Sequence, residues 1–303
     1  MQRLCVCLLI LGVWPAAALV VAGEGQPTDE NAFKVLSFNI RYATPTDGPN
    51  HWPLRREMVR DVIRRADADF VGLQEATPPQ LAYLRNELPE YGVLARTRET
   101  DPAVGEMTPL LYRKSRWQPD ADEQGTFWLS EKPDQPGSRS WNTACPRIVT
   151  WARFVDRRTD RALYVYNTHL DHRSAEARRE GARLLAERIA GRLNHDPVLL
   201  TGDFNCGESS IPIRHLKGTA EGLPVELRDT FRVVHREAKD VGTFHGFSGR
   251  RSATKIDYVL ASPAFRVLSA EILLDNVEGR YPSDHFPVVA TVVFDAAHRG
   301  GAD

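Results

Sequence analysis

Residues 281–294 read Tyr-Pro-Ser-Asp-His-Phe-Pro-Val-Val-Ala-Thr-Val-Val-Phe and join two very different kinds of sequence. The second half, 287–294, is apolar and rich in β-branched residues, which predicts a largely buried strand. The first half places Asp284 and His285 directly before that strand. A charge beside a core costs several kcal/mol unless it is hydrogen-bonded or bound to a metal. The pair is therefore either a turn that satisfies loose backbone groups or one half of a catalytic site.

Polar residues suited to metal or phosphate binding stand at the ends of other apolar segments too. Each such end alone is typical of a turn, because Asn and Asp close turns by hydrogen-bonding the nearby backbone. Loops at the ends of buried strands are also where rigid scaffolds usually carry catalytic groups. Because every end carries Asn, Glu, His or Asp, turn formation alone does not account for the whole set. The set is Ser37-Phe38-Asn39, Leu73-Gln74-Glu75, Asn167-Thr168-His169, Gly202-Asp203-Phe204-Asn205, Ile256-Asp257-Tyr258 and Ser283-Asp284-His285.

These residue types together point to one chemistry. Carboxylate and amide oxygens without cysteine suit a hard cation such as Mg²⁺ or Mn²⁺. Histidine beside carboxylates suits proton transfer near neutral pH. A hard metal with histidines and several Asp or Asn residues matches hydrolysis of a phosphate ester, in which a base activates water and cations offset charge on phosphoryl oxygens.

The rest of the chain predicts many strands and few long helices. Apolar stripes predict helices over 58–66, after Thr77 and over 174–193, whereas 206–250 is predicted to be irregular. Such a pattern favours sheet packed on sheet with helices outside, in one domain. The predicted strands are 33–38, 70–73, 109–112, 126–129, 148–155, 162–166, 198–200, 256–261, 266–273 and 287–294.

The charge balance gives little support to tight, sequence-independent binding of a nucleic acid duplex. The chain of 303 residues is 42% hydrophobic and 26% charged, as in an ordinary globular protein, with a formal net charge of −1. Proteins that grip nucleic acid in this way usually carry a basic surface. Paired arginines occur and are expected on solvated faces. They are Arg55-Arg56, Arg64-Arg65, Arg178-Arg179 and Arg250-Arg251.

The first residues have the layout of a secretory signal. Arg3 is followed by an apolar run over 4–21 and then by small and polar residues. We expect residues 1–22 to be a signal peptide, 23–31 a polar linker and 296–303 a disordered tail. We therefore expect the protein to be secreted or periplasmic and to have no stable membrane span after the signal peptide is cleaved. An uncleaved anchor is the alternative. Cleavage leaves Cys145 and Cys206, for which a disulfide stays open.

The order of the polar strand ends is recognisable. Over roughly residues 33–294 the chain resembles the endonuclease/exonuclease/phosphatase superfamily, whose members include deoxyribonuclease I-like enzymes, abasic-site endonucleases, sphingomyelinases, inositol polyphosphate phosphatases and poly(A) deadenylases. The resemblance implies an α/β fold, a four-layer sandwich of two packed mixed β-sheets flanked by helices, in a domain that we place at 32–295. It also implies an active site at one end of the sandwich.

The resemblance further implies a role for each strand-end residue. Glu75 would be the principal metal ligand, with Asn39 and Asp284 completing the metal environment. His169 would contact the scissile phosphate and help protonate the leaving group, and Asn205 would hold a phosphate oxygen or the attacking water. Asp257 would fix the tautomer of His285. Asp203 and His285 are both candidates for the base that takes a proton from water.

Other segments are similar to a bacterial secreted branch of the superfamily: Gly125-Thr-Phe-Trp-Leu-Ser, Ala144-Cys-Pro-Arg147, Asp171-His172 and Thr243-Phe-His-Gly-Phe247. Within them, Arg147 and His245 are candidate substrate contacts. A surface-paired arginine and a loop histidine that fills a hydrogen-bonding gap are the alternatives. His172 is expected at a helix start or in support of the site.

The sequence thus predicts a monomeric hydrolase that depends on Mg²⁺ or Mn²⁺ and acts on phosphoester bonds. A nuclease or phosphodiesterase, with nucleic acid as a candidate substrate, ranks first. A phosphatase acting on a small molecule or lipid headgroup, sphingomyelinase-like or specific for sugar or inositol phosphates, ranks second. A non-catalytic ligand-binding module of the same fold ranks last, because it would not need both histidines and a full carboxylate set.

Overall fold

The computed structural model of the protein describes residues 30–219, 225–252 and 254–295, and from Asn31 onward the chain forms one compact unit. The predicted signal peptide, the linker up to residue 29 and the predicted tail lie outside the described residues. Within the described ranges, no helix has the length and apolar character needed to cross a membrane.

The described part of the chain forms twelve strands and five α-helices. The strands are β1 Phe33–Asn39, β2 Phe70–Gln74, β3 Tyr91–Leu94, β4 Leu110–Arg113, β5 Trp117–Trp128, β6 Ile148–Asp156, β7 Ala162–His169, β8 Val198–Asp203, β9 Arg228–Asp229, β10 Asp257–Ala261, β11 Phe265–Ile272 and β12 Val288–Phe294. The helices are α1 Arg56–Ala66, α2 Pro78–Glu87, α3 Ala175–Ala190, α4 Ile211–Leu216 and α5 Thr230–Val234, with short 3₁₀ turns at Pro45–Asn50 and Trp52–Leu54.

The strands form two six-stranded mixed sheets that have the same arrangement of parallel and antiparallel neighbours. The first has the order β11-β12-β1-β2-β4-β3 and the second β5-β6-β7-β8-β10-β9. In the first, β1 runs parallel to β2 and antiparallel to β12. In the second, β8 runs parallel to β7 and antiparallel to β10. This architecture confirms the predicted pair of packed mixed sheets.

Alternation of side chains along the strands produces the four layers. On β1, Val35 packs into the core between the sheets, while its neighbour Leu36 packs on the other face with Val62 of α1. On the second sheet, Leu199 faces the same central core and Leu200 packs against α3 and α4. Burial on both faces explains why these strands read as continuous apolar runs rather than as alternating sequence.

A buried polar seam joins the two sheets at the end where the site lies. The Asn167 amide donates to the carbonyls of Leu73 and Pro109, and its oxygen accepts from Gln74 and Thr201. Gly72 makes this approach possible, because a Cβ there would stand 2.0 Å from Thr201 Oγ1. The seam fixes the relative position of the two sheets, and thereby of the residues at their ends.

The structure differs from the sequence prediction in three places, the first of which is β3, a strand of four residues that was not predicted. The stretch 206–250, predicted to be irregular, contains α4, β9 and α5, each too short to show a periodic pattern. The start of α5 is marked by Asp229, whose side chain accepts from the backbone N–H groups of Phe231 and Arg232. β5 begins well before the predicted strand 126–129. The prediction missed its first half because that half is polar and its register with β6 shifts between Pro119 and Gln124.

Candidate active site

The topology of the sheets brings all of the predicted strand ends to one edge of the sandwich. β1 and β2 are parallel, so Asn39 and Glu75 leave the same edge, and antiparallel β12 begins there, just after Asp284 and His285. The second sheet repeats this plan, with His169 paired in register to Asp203 and Asp257 paired across from it.

Asn39 is the hub of the first part of the site. Its side-chain amide donates to Glu75 Oε1 at 3.1 Å and to Asp203 Oδ2 at 3.0 Å, and lies 3.5 Å from His285 Nε2. Its side-chain oxygen in turn accepts from the backbone N–H of Arg41. One buried amide therefore ties residues of both sheets together.

Glu75 and Asp284 share a cationic neighbour. The Arg41 guanidinium lies 4.0 Å from Glu75 Oε2 and 3.9 Å from Asp284 Oδ2, and is anchored by Asp47 at 2.9 Å. Burial raises the pKa of Asp284, and the Glu75 charge adds to this effect. Two nearby carboxylates and an amide oxygen form a donor set typical of Mg²⁺ or Mn²⁺. The residues present therefore fit the hard cation that the resemblance implies.

Three residues of the site adopt left-handed backbone conformations, which residues other than glycine rarely adopt. The φ angles are +52° at Arg41, +60° at Glu75 and +49° at Asn205. Such conformations cost free energy and persist where the surrounding structure enforces them, often at functional sites. Here they turn the chain sharply just after β1, β2 and β8, so that the side chains project over the sheet edge.

His285 lies between two carboxylates. Its Nδ1 is 2.9 Å from Asp257 Oδ2, and its Nε2 is 3.8 Å from Asp203 Oδ2. Although burial opposes protonation, the charges of Asp257 and Asp203 raise the pKa of His285 well above its ordinary value. Burial, together with the Asp257 charge, raises the pKa of Asp203 to about 7. The site therefore holds an imidazolium beside a carboxylate that exchanges protons near neutral pH.

His169 has the opposite character. Its Nε2 accepts a hydrogen bond from the Asn205 amide at 2.9 Å and lies 3.4 Å from Asp203 Oδ2. Burial lowers the pKa of His169, and the charges of Arg147 and Arg98 lower it further. Without substrate this ring is neutral, so donation of a proton to a leaving group would require a bound phosphate to raise its pKa.

A second group of possible metal ligands lies nearby. Atoms of Asp203, Asp257 and His285 lie within 4.8 Å of one another. We favour Glu75 and its neighbours as the metal site instead, because His285 Nδ1 is already hydrogen-bonded to Asp257 and a cation would be repelled by the imidazolium.

The site opens into a cavity of about 460 Å³. Apart from the predicted residues, its lining includes residues of the loop between β3 and β4 and of the loop before β6. Sequence reasoning missed Arg98 and Glu106, because neither belongs to a motif. The lining is Arg41, Tyr42, Glu75, Arg98, Glu106, Cys145, Arg147, His169, His172, Asp203, Asn205, Phe244, Ile256, Asp284 and His285. Both Cys145 and Cys206 are free thiols.

The predicted substrate contact Arg147 lines this cavity and is 5% exposed. Its Nη2 donates to His172 Nδ1 at 2.9 Å. Asp171 fixes the surrounding loop by accepting from Thr143, Ala144, Arg173 and Ser174, and these hydrogen bonds lower its pKa against the effect of burial. The two motifs around Arg147 and Asp171 therefore form one structural unit.

The predicted contact His245 is 6% exposed and is absent from the cavity lining. Its ring stacks on Phe286 with centroids 3.9 Å apart, and its Nδ1 accepts from the Gly249 N–H. The neighbouring Phe244 is 49% exposed, lines the cavity and meets the His285 ring edge-on at 5.1 Å. In this motif, the phenylalanine rather than the histidine lines the cavity.

Arg55 is a further residue that sequence reasoning missed. Its pair with Arg56 is expected on a solvated face, but Arg55 is 1% exposed, so that expectation was wrong for this residue. Its guanidinium donates to the carbonyls of Ile40, Arg41, Asn50 and Pro282 at 2.6–2.9 Å. Arg55 therefore ties the loop after Asn39 to the segment before Asp284. A guanidinium can satisfy several carbonyls at once, which the sequence pattern alone does not reveal.

Comparison with known proteins decides the family. A model of the endonuclease/exonuclease/phosphatase family matches residues 36–285. The chain belongs to that family. The predicted family and the predicted sandwich fold are thereby confirmed.

Two solved structures match 87% and 86% of the chain, and one further relative matches 59% of it. An endonuclease/exonuclease/phosphatase from Bacteroides vulgatus is 34% identical, with a TM-score of 0.79, over 87% of this chain and 99% of its own. A mannosyl-6-phosphatase from Bacteroides thetaiotaomicron is 30% identical, with a TM-score of 0.77, over 86% of this chain and 100% of its own. The uncharacterized protein YbhP of Escherichia coli K12 is 30% identical over 59% of this chain and 68% of its own.

Proposed function

We propose that the protein is a secreted phosphomonoesterase, dependent on Mg²⁺ or Mn²⁺, that releases phosphate from a small phosphorylated sugar. The observation that carries this proposal is the cavity of about 460 Å³, within the range of small-molecule sites, with the catalytic carboxylates and histidines in its lining. The similarity to a mannosyl-6-phosphatase supports the same substrate class.

A nuclease or phosphodiesterase, which the sequence ranks first, is supported less well. Binding to a nucleic acid backbone depends on cationic side chains free to neutralise phosphates. Arg41 is paired with Asp47, and Arg98 with Glu106, at 2.9 and 2.7 Å. The basic side chains at the cavity thus already have carboxylate partners.

In the proposed reaction, Asp203 takes a proton from the attacking water, since its pKa of about 7 lets it act as a base near neutral pH. His285 remains an imidazolium held by Asp257 and donates a hydrogen bond to a phosphate oxygen, where negative charge develops. To hold the other phosphate oxygens, the Asn205 amide would exchange its hydrogen bond to His169 for one to the substrate, and His169 would gain a proton when the phosphate binds. Glu75, Asn39 and Asp284 would hold the metal, which supplies positive charge against the phosphoryl oxygens.

A substrate panel tests the proposal. Purified protein with Mg²⁺ or Mn²⁺ is assayed on hexose 6-phosphates, inositol phosphates, sphingomyelin, DNA and RNA, and we expect the highest kcat/KM on a hexose phosphate. Chelation of the metal should abolish turnover, and readdition should restore it. His285→Ala should lower kcat by about 10³-fold, because general acid–base and electrostatic groups contribute effects of this order.

His195→Ala is the matched control, since His195 is exposed and has no predicted role; it should match the wild type. Faster cleavage of DNA or RNA than of any sugar phosphate would return the nuclease to first place. Absence of hydrolysis of every ester with either metal would favour a binding module instead.

A further inference from the structure

A small niche adjoins the active-site cavity beside His169. Its free volume is about 10 Å³, and Arg98, Glu106, Arg147 and His169 line both the niche and the main cavity. This volume accommodates one group of the size of a water molecule. Thr108 and Met107 also belong to the lining. A molecule whose phosphate lies at His169 could therefore place one further atom in the niche.

The niche is lined by guanidinium groups with unused donors. The Nε atoms of both Arg98 and Arg147 are buried and have no hydrogen-bond partner within the described part of the chain, although each has an ion-pair contact, at 3.5 Å from Arg98 Nε to Glu99 Oε1 and at 3.7 Å from Arg147 Nε to Asp171 Oδ2. Buried polar groups in native proteins are nearly always paired, and an unpaired donor costs free energy. Two such donors around one niche indicate that an external oxygen atom completes their hydrogen bonding.

The charge of the surrounding residues separates the possible occupants. Arg98 Nη1 donates to Glu106 Oε2 at 2.7 Å, and Arg147 Nε lies 3.7 Å from Asp171 Oδ2. Each guanidinium thus already has a carboxylate nearby, which leaves no net positive charge for a second anion. A phosphate or carboxylate group is also larger than the niche. A neutral hydroxyl fits in size, accepts from an arginine and donates to Glu106.

We propose that the niche formed by Arg98, Glu106 and Arg147, named the hydroxyl niche, binds one hydroxyl of the sugar from which phosphate is removed. This inference rests on the proposed function, and it narrows the substrate to a polyhydroxy alcohol. It assigns Arg98 and Glu106 a part in substrate selection. A site built to hydrogen-bond a hydroxyl strongly disfavours the analogue that lacks it, because its buried polar groups are left unpaired.

The test uses a hexose 6-phosphate and its 2-, 3- and 4-deoxy analogues. In the wild type, we expect one deoxy analogue to have kcat/KM lower by about 100-fold, as for the loss of a recognised hydroxyl. In Arg98→Met, the ratio between the parent sugar and that analogue should fall below about 10. Glu106→Gln, which keeps the size of the side chain, should lower the same ratio. Arg96→Met, at an exposed arginine of the same loop, should keep the ratio of the wild type.

The outcomes separate this inference from the proposed function. If all deoxy analogues react as the parent does, the hydroxyl niche is excluded while the phosphomonoesterase stands. A purely structural role of Arg98 would lower turnover of parent and analogue equally and leave the ratio unchanged, which also overturns the inference. Preference for a hexose bisphosphate that Arg98→Met abolishes would assign the niche to an anion instead.

Binding provides a second readout that does not need turnover. If the wild type hydrolyses no sugar phosphate, the proposed function fails, and calorimetric titration of His285→Ala with the same compounds still tests the niche. The inference is supported if one deoxy analogue binds more weakly than the parent sugar phosphate and this difference disappears when Arg98→Met is added. Equal binding of all analogues, or no binding of any, overturns it.

Discussion

Two walls of the active-site cavity differ in how the chain builds them. The catalytic wall, formed by Glu75, Asp203, Asp284 and His285, comes from the ends of paired strands. The arginine wall, formed by Arg98, Glu106, Arg147 and His172, comes mainly from loops and from the segment before α3. Strand pairing sets positions on the first wall by backbone register, whereas single side-chain contacts set positions on the second.

Their hydrogen bonding differs in the same sense. On the catalytic wall, the Asn39 amide links Glu75 and Asp203, and Asp257 holds His285. On the arginine wall, two buried guanidinium Nε atoms have no hydrogen-bond partner within the described residues. Under the function and the niche proposed above, the sheets fix the chemistry, while the loops select the molecule on which the chemistry acts.

Asp257→Asn, at the support of the catalytic wall, should have the largest effect, and it should act on every substrate alike. Asn keeps the size of the side chain but removes the charge that raises the pKa of both His285 and Asp203. Both pKa values should therefore fall, so that both limbs of the kcat/KM profile move to lower pH. We expect kcat near neutral pH to decrease by about 100-fold.

The profile should be measured between about pH 5 and pH 9, where His and perturbed carboxylates titrate. Asp240→Asn, at an exposed aspartate, is the control and should leave the profile unchanged. An unshifted profile in Asp257→Asn would contradict the assignment of the titrating groups. If Asp257→Asn also changed the ratio of kcat/KM between the sugar phosphate and its deoxy analogue, the two walls would not have separate roles.

Arg55→Met should mainly destabilise the support of the catalytic wall. The change leaves the carbonyls of Ile40, Arg41, Asn50 and Pro282 without their donor in a buried position. We expect the free energy of unfolding to fall by about 2–4 kcal/mol, since buried acceptors then lack partners. Denaturant unfolding measures the loss.

The adjacent Arg56→Met offers a matched control. Arg56 is exposed and stacks on Tyr83, so its replacement should change the free energy of unfolding by less than about 0.5–1 kcal/mol. Equal stability of the two variants would show that the buried guanidinium does not hold the segments around Asn39 and Asp284.

His245→Phe should have the smallest effect, which is a reduced loss of stability at acidic pH. Burial, together with the charge of His285, lowers the pKa of His245 to about 4, whereas in the unfolded chain it is about 6.5. The unfolded state therefore binds a proton that the folded state refuses, and stability falls as pH drops from about 6.5 towards 4. Phenylalanine keeps the stacking on Phe286 but cannot be protonated. It also removes the acceptor of the Gly249 N–H, a loss that is the same at every pH and therefore cancels from a comparison of two pH values.

Urea unfolding at about pH 7 and pH 5 tests this prediction, and the variant should lose roughly 1 kcal/mol less stability between them than the wild type. His195→Phe, at an exposed position, should show the acid sensitivity of the wild type. If His245→Phe retained that sensitivity as well, the neutral form of His245 would not matter for the fold.

How far the sequence predicts this site depends on the source of each residue. Most of the predicted site residues stand at the ends of apolar strands, and this position marks them as candidates in the sequence. Among them are Asn39, Glu75, Asp203, Asp257 and His285. Arg98 and Glu106 lie on a loop without a pattern. Arg55 lies beside an exposed arginine at the start of α1, and the two look alike in sequence.

The sequence by itself determined most of the strands, the order of their polar ends and hence the family, because hydrophobic patterns and the order of motifs can be read directly along the chain. Only the tertiary structure decided that Arg55 is buried, that Phe244 rather than His245 lines the cavity and that Arg98 and Arg147 line one niche. The reason is physical. Burial and pairing of these side chains depend on contacts between segments far apart in the chain, such as Arg55 with Pro282, which no local pattern encodes.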